Sequence, residues 1–119
     1  MEINNWFQEL ETFEFEVQGF KFSCEEMTTG EEFDFFTFYI EPNGKTNMAK
    51  LSLCQATKLI STPFTKEIIT EKIGIEKEWK DLTLFERMNF LQKLKSKILS
   101  EIMTNVSQHY MEKEAKVKN

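Results

Sequence analysis

The chain has 119 residues, of which 40% are hydrophobic and 29% charged, and its net charge is −5. That length fits one domain able to bury a core without staples, and the composition is globular rather than disordered. The acidic balance argues against nucleic acid as the main partner. No apolar run approaches the roughly 18 residues of a membrane span, and the acidic, amphipathic start "MEINNWFQEL" is unlike a signal peptide, so a cytoplasmic protein is expected.

In chain order, Ile3, Trp6, Phe7 and Leu10 recur at helical spacing and predict a short amphipathic helix or docking turn that lies on the core, the alternative being a detachable partner-binding arm. Phe13, Phe15 and Val17 then alternate with Glu14 and Glu16, and Phe20, Phe22 and Cys24 continue at the same period of two. With Gln18-Gly19 between them, these runs predict a β-hairpin over residues 12–24 whose Phe-rich face rests on later helices.

The next stretch, "EEFDFFTFYIEPNG", crowds five aromatics into seven positions: Phe33, Phe35, Phe36, Phe38 and Tyr39. Its composition suits a strand, but Thr28 or Thr29 with an acid three residues on forms a capping box, which predicts a helix. On a helix Phe33, Phe36 and Ile40 share one face while Phe35, Phe38 and Tyr39 share another. An element apolar on two sides is either sandwiched or meets another chain.

"EPNGKT" predicts a turn. "NMAKLSLCQATKLIS" reads as one helix, with Ala49, Leu53, Ala56 and Ile60 aligned. A short helix follows, capped either by Thr62 with Pro63 at its first position or by Thr65, and closed by Gly74. Thr83 and Glu86 form a second capping box. Beyond it Met88, Leu91, Leu94, Ile98, Ile102 and Val106 predict one long helix over 84–110. The expected fold is α+β and mostly helical, an N-terminal β-hairpin followed by about four helices, the last long and amphipathic. Residues 1–112 are expected as a single globular domain and 113–119 as a charged, frayed tail.

Residues for chemistry are sparse. Cys24 and Cys54 read as buried thiols, and His109, the only histidine, reads as a surface or capping residue. A structural zinc site would need about four ligands. Glu25, Glu26, Glu31, Glu32 and Asp34 sit in a loop and a first helical turn, where solvation and the helix dipole account for them. No catalytic residue, cofactor or metal is expected. The methionines Met27, Met48, Met88, Met103 and Met111 offer adaptable apolar surface, for the core or for a binding groove.

A wider pattern spans residues 11–110: a Phe-rich hairpin, then Thr28-Thr29-Gly30-Glu31, a helix led by Pro63-Phe64, Ile73-Gly74, Trp79, Leu82-Thr83, Glu86-Arg87 and a long amphipathic helix. In this it resembles the small tail assembly chaperones of long-tailed, siphovirus-type bacteriophages and prophages, above all those of low-GC Gram-positive hosts. The resemblance implies a non-enzymatic protein of the host cytoplasm, absent from the mature virion. Such a protein keeps the hydrophobic tape-measure protein soluble and recruits tail-tube subunits. It also implies that a frameshifted longer form can exist. The alternative is a head–tail or tail structural subunit retained in the virion. On the chaperone reading, Phe33, Phe36 and Ile40 pack at home. Phe35, Phe38 and Tyr39, with Met88 and Leu91 of the long helix, meet the partner or a second copy. Nucleic acid and membrane are not expected as partners.

Overall fold

Alternating burial shapes the first elements. The computed structural model describes residues 3–118; Met1, Glu2 and Asn119 lie outside them. Strands β1 (Thr12–Val17) and β2 (Phe20–Glu25) pair antiparallel, with Phe15 opposite Phe22 and Val17 opposite Phe20. Gln18 and Gly19 join them with φ of 52° and 81°, a turn whose twist matches that of the strands. Phe22, Cys24 and Val17 are buried on one face, while Glu14 and Glu16 stay in water on the other.

The capping box at Thr28 also forms. Thr28 Oγ1 accepts from the Glu31 N–H at 3.1 Å, and Glu31 Oε1 accepts from the Thr28 N–H at 2.9 Å. The helix it opens is in two pieces, α1 (Thr29–Asp34) and α2 (Phe36–Tyr39), interrupted where Phe35 leaves helical geometry at φ −104° and ψ 6°. The turn after it closes with an isolated bridge between Ile40 and Thr46.

In the middle of the chain one expectation is corrected and one open choice is decided. The helix read over "NMAKLSLCQATKLIS" stops early: α3 is Met48–Ala56, and Leu59–Ser61 forms a third strand, β3, antiparallel to β2. Leu59 is fully buried while Ile60 and Ser61 are exposed, a run too short to show a strand's period in sequence. The short helix is capped by Thr65 and not Thr62. It forms α4 (Lys66–Ile73), closed by Gly74 at φ 71°.

The long helix over 84–110 is likewise two helices, α5 (Leu84–Leu91) and α6 (Ser96–Lys118). Lys93 and Leu94 bond back three residues, to the carbonyls of Phe90 and Leu91, so the turn tightens and the helix ends. Phe90 and Leu91 are neighbours in sequence yet both buried, and Phe90 also meets Phe64 and Trp79 edge-on. The stretch from 113, expected as a tail, continues α6 to Lys118. The N-terminal run is corrected as well. It makes only a 3-10 turn, Ile3–Trp6, and Ile3, Trp6, Phe7 and Leu10 are exposed instead of lying on the core.

The core lies between the sheet, α3 and α6, with Ile102 and Val106 of α6 fully buried. Cys24 and Cys54 are free and buried, as expected. A second tie joins β3 to α5. Trp79 Nε1 donates to the Leu59 carbonyl at 2.6 Å, and Arg87 lies over the indole at 5.1 Å. Arg87 Nη1 donates to the Thr57 carbonyl at 3.0 Å and its Nε to the Trp79 carbonyl at 3.2 Å. Hydrogen bonds from a charged donor contribute about 1.5–3 kcal/mol each, so Arg87→Ala is expected to lower unfolding free energy by about 2–3 kcal/mol in urea titrations. Arg87→Lys should recover little of that, because one ammonium cannot reproduce the fork.

Candidate functional site

Five aromatics within seven residues resolve into two jobs, and the sides are opposite to those expected. Phe35 is 1% exposed, with its ring 4.5 Å from that of Phe85. Tyr39 is buried, and Phe38 is half-buried beneath the Lys50 ammonium, 5.3 Å from the ring centre. Met88 and Leu91 are buried too. These five residues, expected to meet a partner, therefore serve the core, with Phe38 alone partly open. Phe33 and Phe36, expected to pack at home, are 66% and 44% exposed, their rings 6.2 Å apart. Ile40 is half-buried.

Phe33 and Phe36 stay together and Phe35 and Tyr39 stay together with the orientation inverted, while Ile40, expected with the first pair, packs against the core. Glu31, on the side of Phe35, would ordinarily point that side to water. It is instead neutralised by Lys58, whose Nζ lies 2.8 Å from Glu31 Oε2 and 2.8 Å from Glu25 Oε1. Thr29, Gly30 and Thr37, the small polar neighbours of Phe33 along the helix, are exposed with it. They were the one available sign of which side faces out.

A methionine-walled groove lies between α3 and α6. Met48 at the start of α3 and Met103 and Met111 on α6 line a cleft of about 510 Å³. It shares Met48 and Met111 with a neighbouring hollow of about 450 Å³, whose wall includes Glu32, Met27, Leu51 and Leu10. Met48 and Met111 are exposed large apolar residues. Burial holds the Glu32 carboxyl above its ordinary value of 4.5. Flexible thioethers over a shallow groove suit a ligand of irregular apolar shape. Of the methionines, sequence flagged this chemistry but could not say which of them line a surface.

The polar cluster nearby is a clasp. Glu26 is 2% exposed and fully engaged. Its Oε1 accepts from Lys113 Nζ at 2.6 Å and from the Glu11 N–H at 2.9 Å, while Oε2 is hydrogen-bonded to His109 Nε2 at 2.7 Å. The His109 ring stacks on Phe13 at 3.8 Å between centroids. His109 thus has partners that sequence did not reveal. Glu11, Glu26 and His109 offer three ligand atoms within 4.8 Å of one another. A dication there would have to displace the Lys113 ammonium, so the set fits an ion-pair clasp better than a metal centre. Burial pushes both the Cys24 and Cys54 thiols up to about 12, which leaves neither as a nucleophile at neutral pH.

The clasp makes stability depend on pH. Burial alone would raise the Glu26 carboxyl, but Lys113, the Glu11 N–H and His109 together hold it below its ordinary value of 4.5. A depressed carboxylate contributes stability that is complete above the ordinary value and lost as pH falls through the folded one. Glu26→Gln is therefore expected to cost about 1–3 kcal/mol at neutral pH, with the difference from the parent shrinking on acidification, as read from urea titrations across that range. Compared with known proteins, the chain matches no family model, no curated protein and no solved structure.

Proposed function

We propose that the protein is a non-enzymatic tail assembly chaperone of a long-tailed bacteriophage or prophage, lending apolar surface to the hydrophobic tape-measure protein and recruiting tail-tube subunits. It acts in the host cytoplasm and leaves before the virion is complete. The observation that carries this reading is the apolar surface left open in two places: Phe33 and Phe36 on α1–α2, and the exposed Met48 and Met111 at the methionine groove. Soluble domains rarely leave large apolar side chains clustered without a partner. The linear pattern of hairpin, Thr28–Glu31, Pro63-Phe64, Trp79 and Glu86-Arg87 supports the same family. No helix in the described residues is long and apolar enough to cross a membrane.

The mechanism follows from the side chains. Client segments with irregular apolar faces settle against Met48, Met103 and Met111, whose unbranched chains adjust without fixed shape. The two phenylalanines add rigid area at low entropic cost. Such contacts are reversible, as a factor that must leave the assembly requires.

Phe33→Asp with Phe36→Asp should leave the thermal midpoint close to that of the parent, since both rings are exposed. It should reduce the soluble fraction of a co-expressed tape-measure protein to the level seen without chaperone. Unchanged solubilisation by a folded double variant would refute this surface. Phe35→Asp, by contrast, should unfold the domain, at a cost of about 3–5 kcal/mol for losing a buried ring. Mass spectrometry of purified particles should find no copies of this chain; copies retained in the virion would identify a structural subunit instead.

A further inference from the structure

We propose that copies of this chain join head to tail, the N-terminal arm of one filling an apolar slot at the hairpin tip of the next. This goes beyond client binding and uses neither Phe33 nor the methionine groove.

The arm is an uncovered apolar element held at one place. Gln8 Oε1 accepts from the Thr29 N–H at 2.8 Å, the Glu9 carbonyl accepts from Lys113 Nζ at 3.0 Å, and the Glu11 N–H donates to Glu26. Just before these anchors, Trp6 is 72% exposed and Phe7 71%. Glu9 and Glu11 follow them, and residues 3–11 contain no lysine or arginine.

The slot has the opposite character. Phe20, Phe64, Ile68 and Leu94 wall a space of about 290 Å³ whose charged side chains are Lys72 and Lys93. Phe20 and Ile68 are exposed at its mouth. Among the described residues Lys93 has no ion-pair partner, and Lys72 has only Glu71 at 3.7 Å, both exposed. A cavity of about 150 Å³ holds one benzene ring, so this one suits two aromatic rings. Adjacent Trp6 and Phe7, trailed by two carboxylates, match its volume, its apolar walls and its charge.

One molecule cannot satisfy both halves of this match. The arm is pinned beside Thr12 and Glu25, at the open end of the hairpin, whereas Phe20 pairs with Val17 at the tip. Five residues of strand separate the two ends by about 17 Å. Trp6 lies two residues from the Gln8 anchor, a reach of about 7 Å. The arm of a second copy meets no such limit. Because donor and acceptor surfaces differ, the contact is heterologous and each joined pair keeps one free arm and one free slot.

The test uses full chains. Trp6→Ala with Phe7→Ala disables the arm, and Ile68→Glu disables the slot by placing a carboxylate where the acidic arm must sit. All three positions are exposed or near the surface, so thermal midpoints should stay near that of the parent. Lys72→Glu with Lys93→Glu serves as a second slot variant should Ile68→Glu fail to fold. Light scattering across a concentration series should show the parent forming species larger than a dimer, more weakly in high salt. Each variant alone should be monomeric, with self-affinity reduced about thirtyfold or more. An equimolar mixture of arm and slot variants should form a one-to-one dimer and stop there, since one good arm then meets one good slot. A parent that stays monomeric, a variant that associates like the parent, or a mixture without the heterodimer would each overturn the proposal.

Discussion

One buried carboxylate organises this domain. Glu26 sits where the hairpin hands over to the first helix, and desolvating its charge would be prohibitive unless every lone pair found a partner. Its three partners come from two places: the Glu11 N–H from the strand's approach, and His109 and Lys113 from the last helix. Meeting the needs of that single group therefore docks the C-terminal part of α6 on the open end of the hairpin. At the other end Gln18 Nε2 reaches Glu101 Oε1 at 2.9 Å. The helix is thus held along the full length of the strand pair, with Phe13 stacked on His109 between the two ties.

That arrangement accounts for the arm as well. The chain before Thr12 is attached through backbone groups at Glu9 and Glu11 and a side-chain oxygen at Gln8. None of these contacts covers an apolar side chain. Polar anchoring fixes where the arm leaves the body without burying Trp6 or Phe7, and so the most exposed rings of the protein also begin from a defined place.

What sequence revealed was whatever is local. The hairpin was legible because alternation and Gln18-Gly19 are decided within a dozen residues, and the capping boxes at Thr28 and Thr83 because each needs four. The failures are all non-local. β3 is three residues long and exists because Ser23 and Cys24 of a distant strand pair with it. The break before α6 carries no glycine or proline to mark it; it falls just after Phe90, whose ring meets Phe64 and Trp79. The orientation of the aromatic element depended on Lys58 neutralising Glu31, 27 residues away. Of the residues behind the family resemblance, Trp79 and Arg87 tie β3 to α5 and Thr83–Glu86 caps a helix. They speak for the fold directly and for the function only through it.

The crowding of aromatics at 33–39 can now be read as a division set by one broken turn. Phe35 ends α1 in a non-helical conformation and buries its ring against Phe85, and from there Tyr39, four residues on, follows it inward. Phe33 and Phe36 stay exposed, their rings 6.2 Å apart. Replacing the exposed pair with polar residues would cost the core almost nothing by the burial seen here, so folding does not require them. Two rings that the core does not use, and a separate groove walled by adaptable methionines, are the surfaces on which the proposed client contact rests.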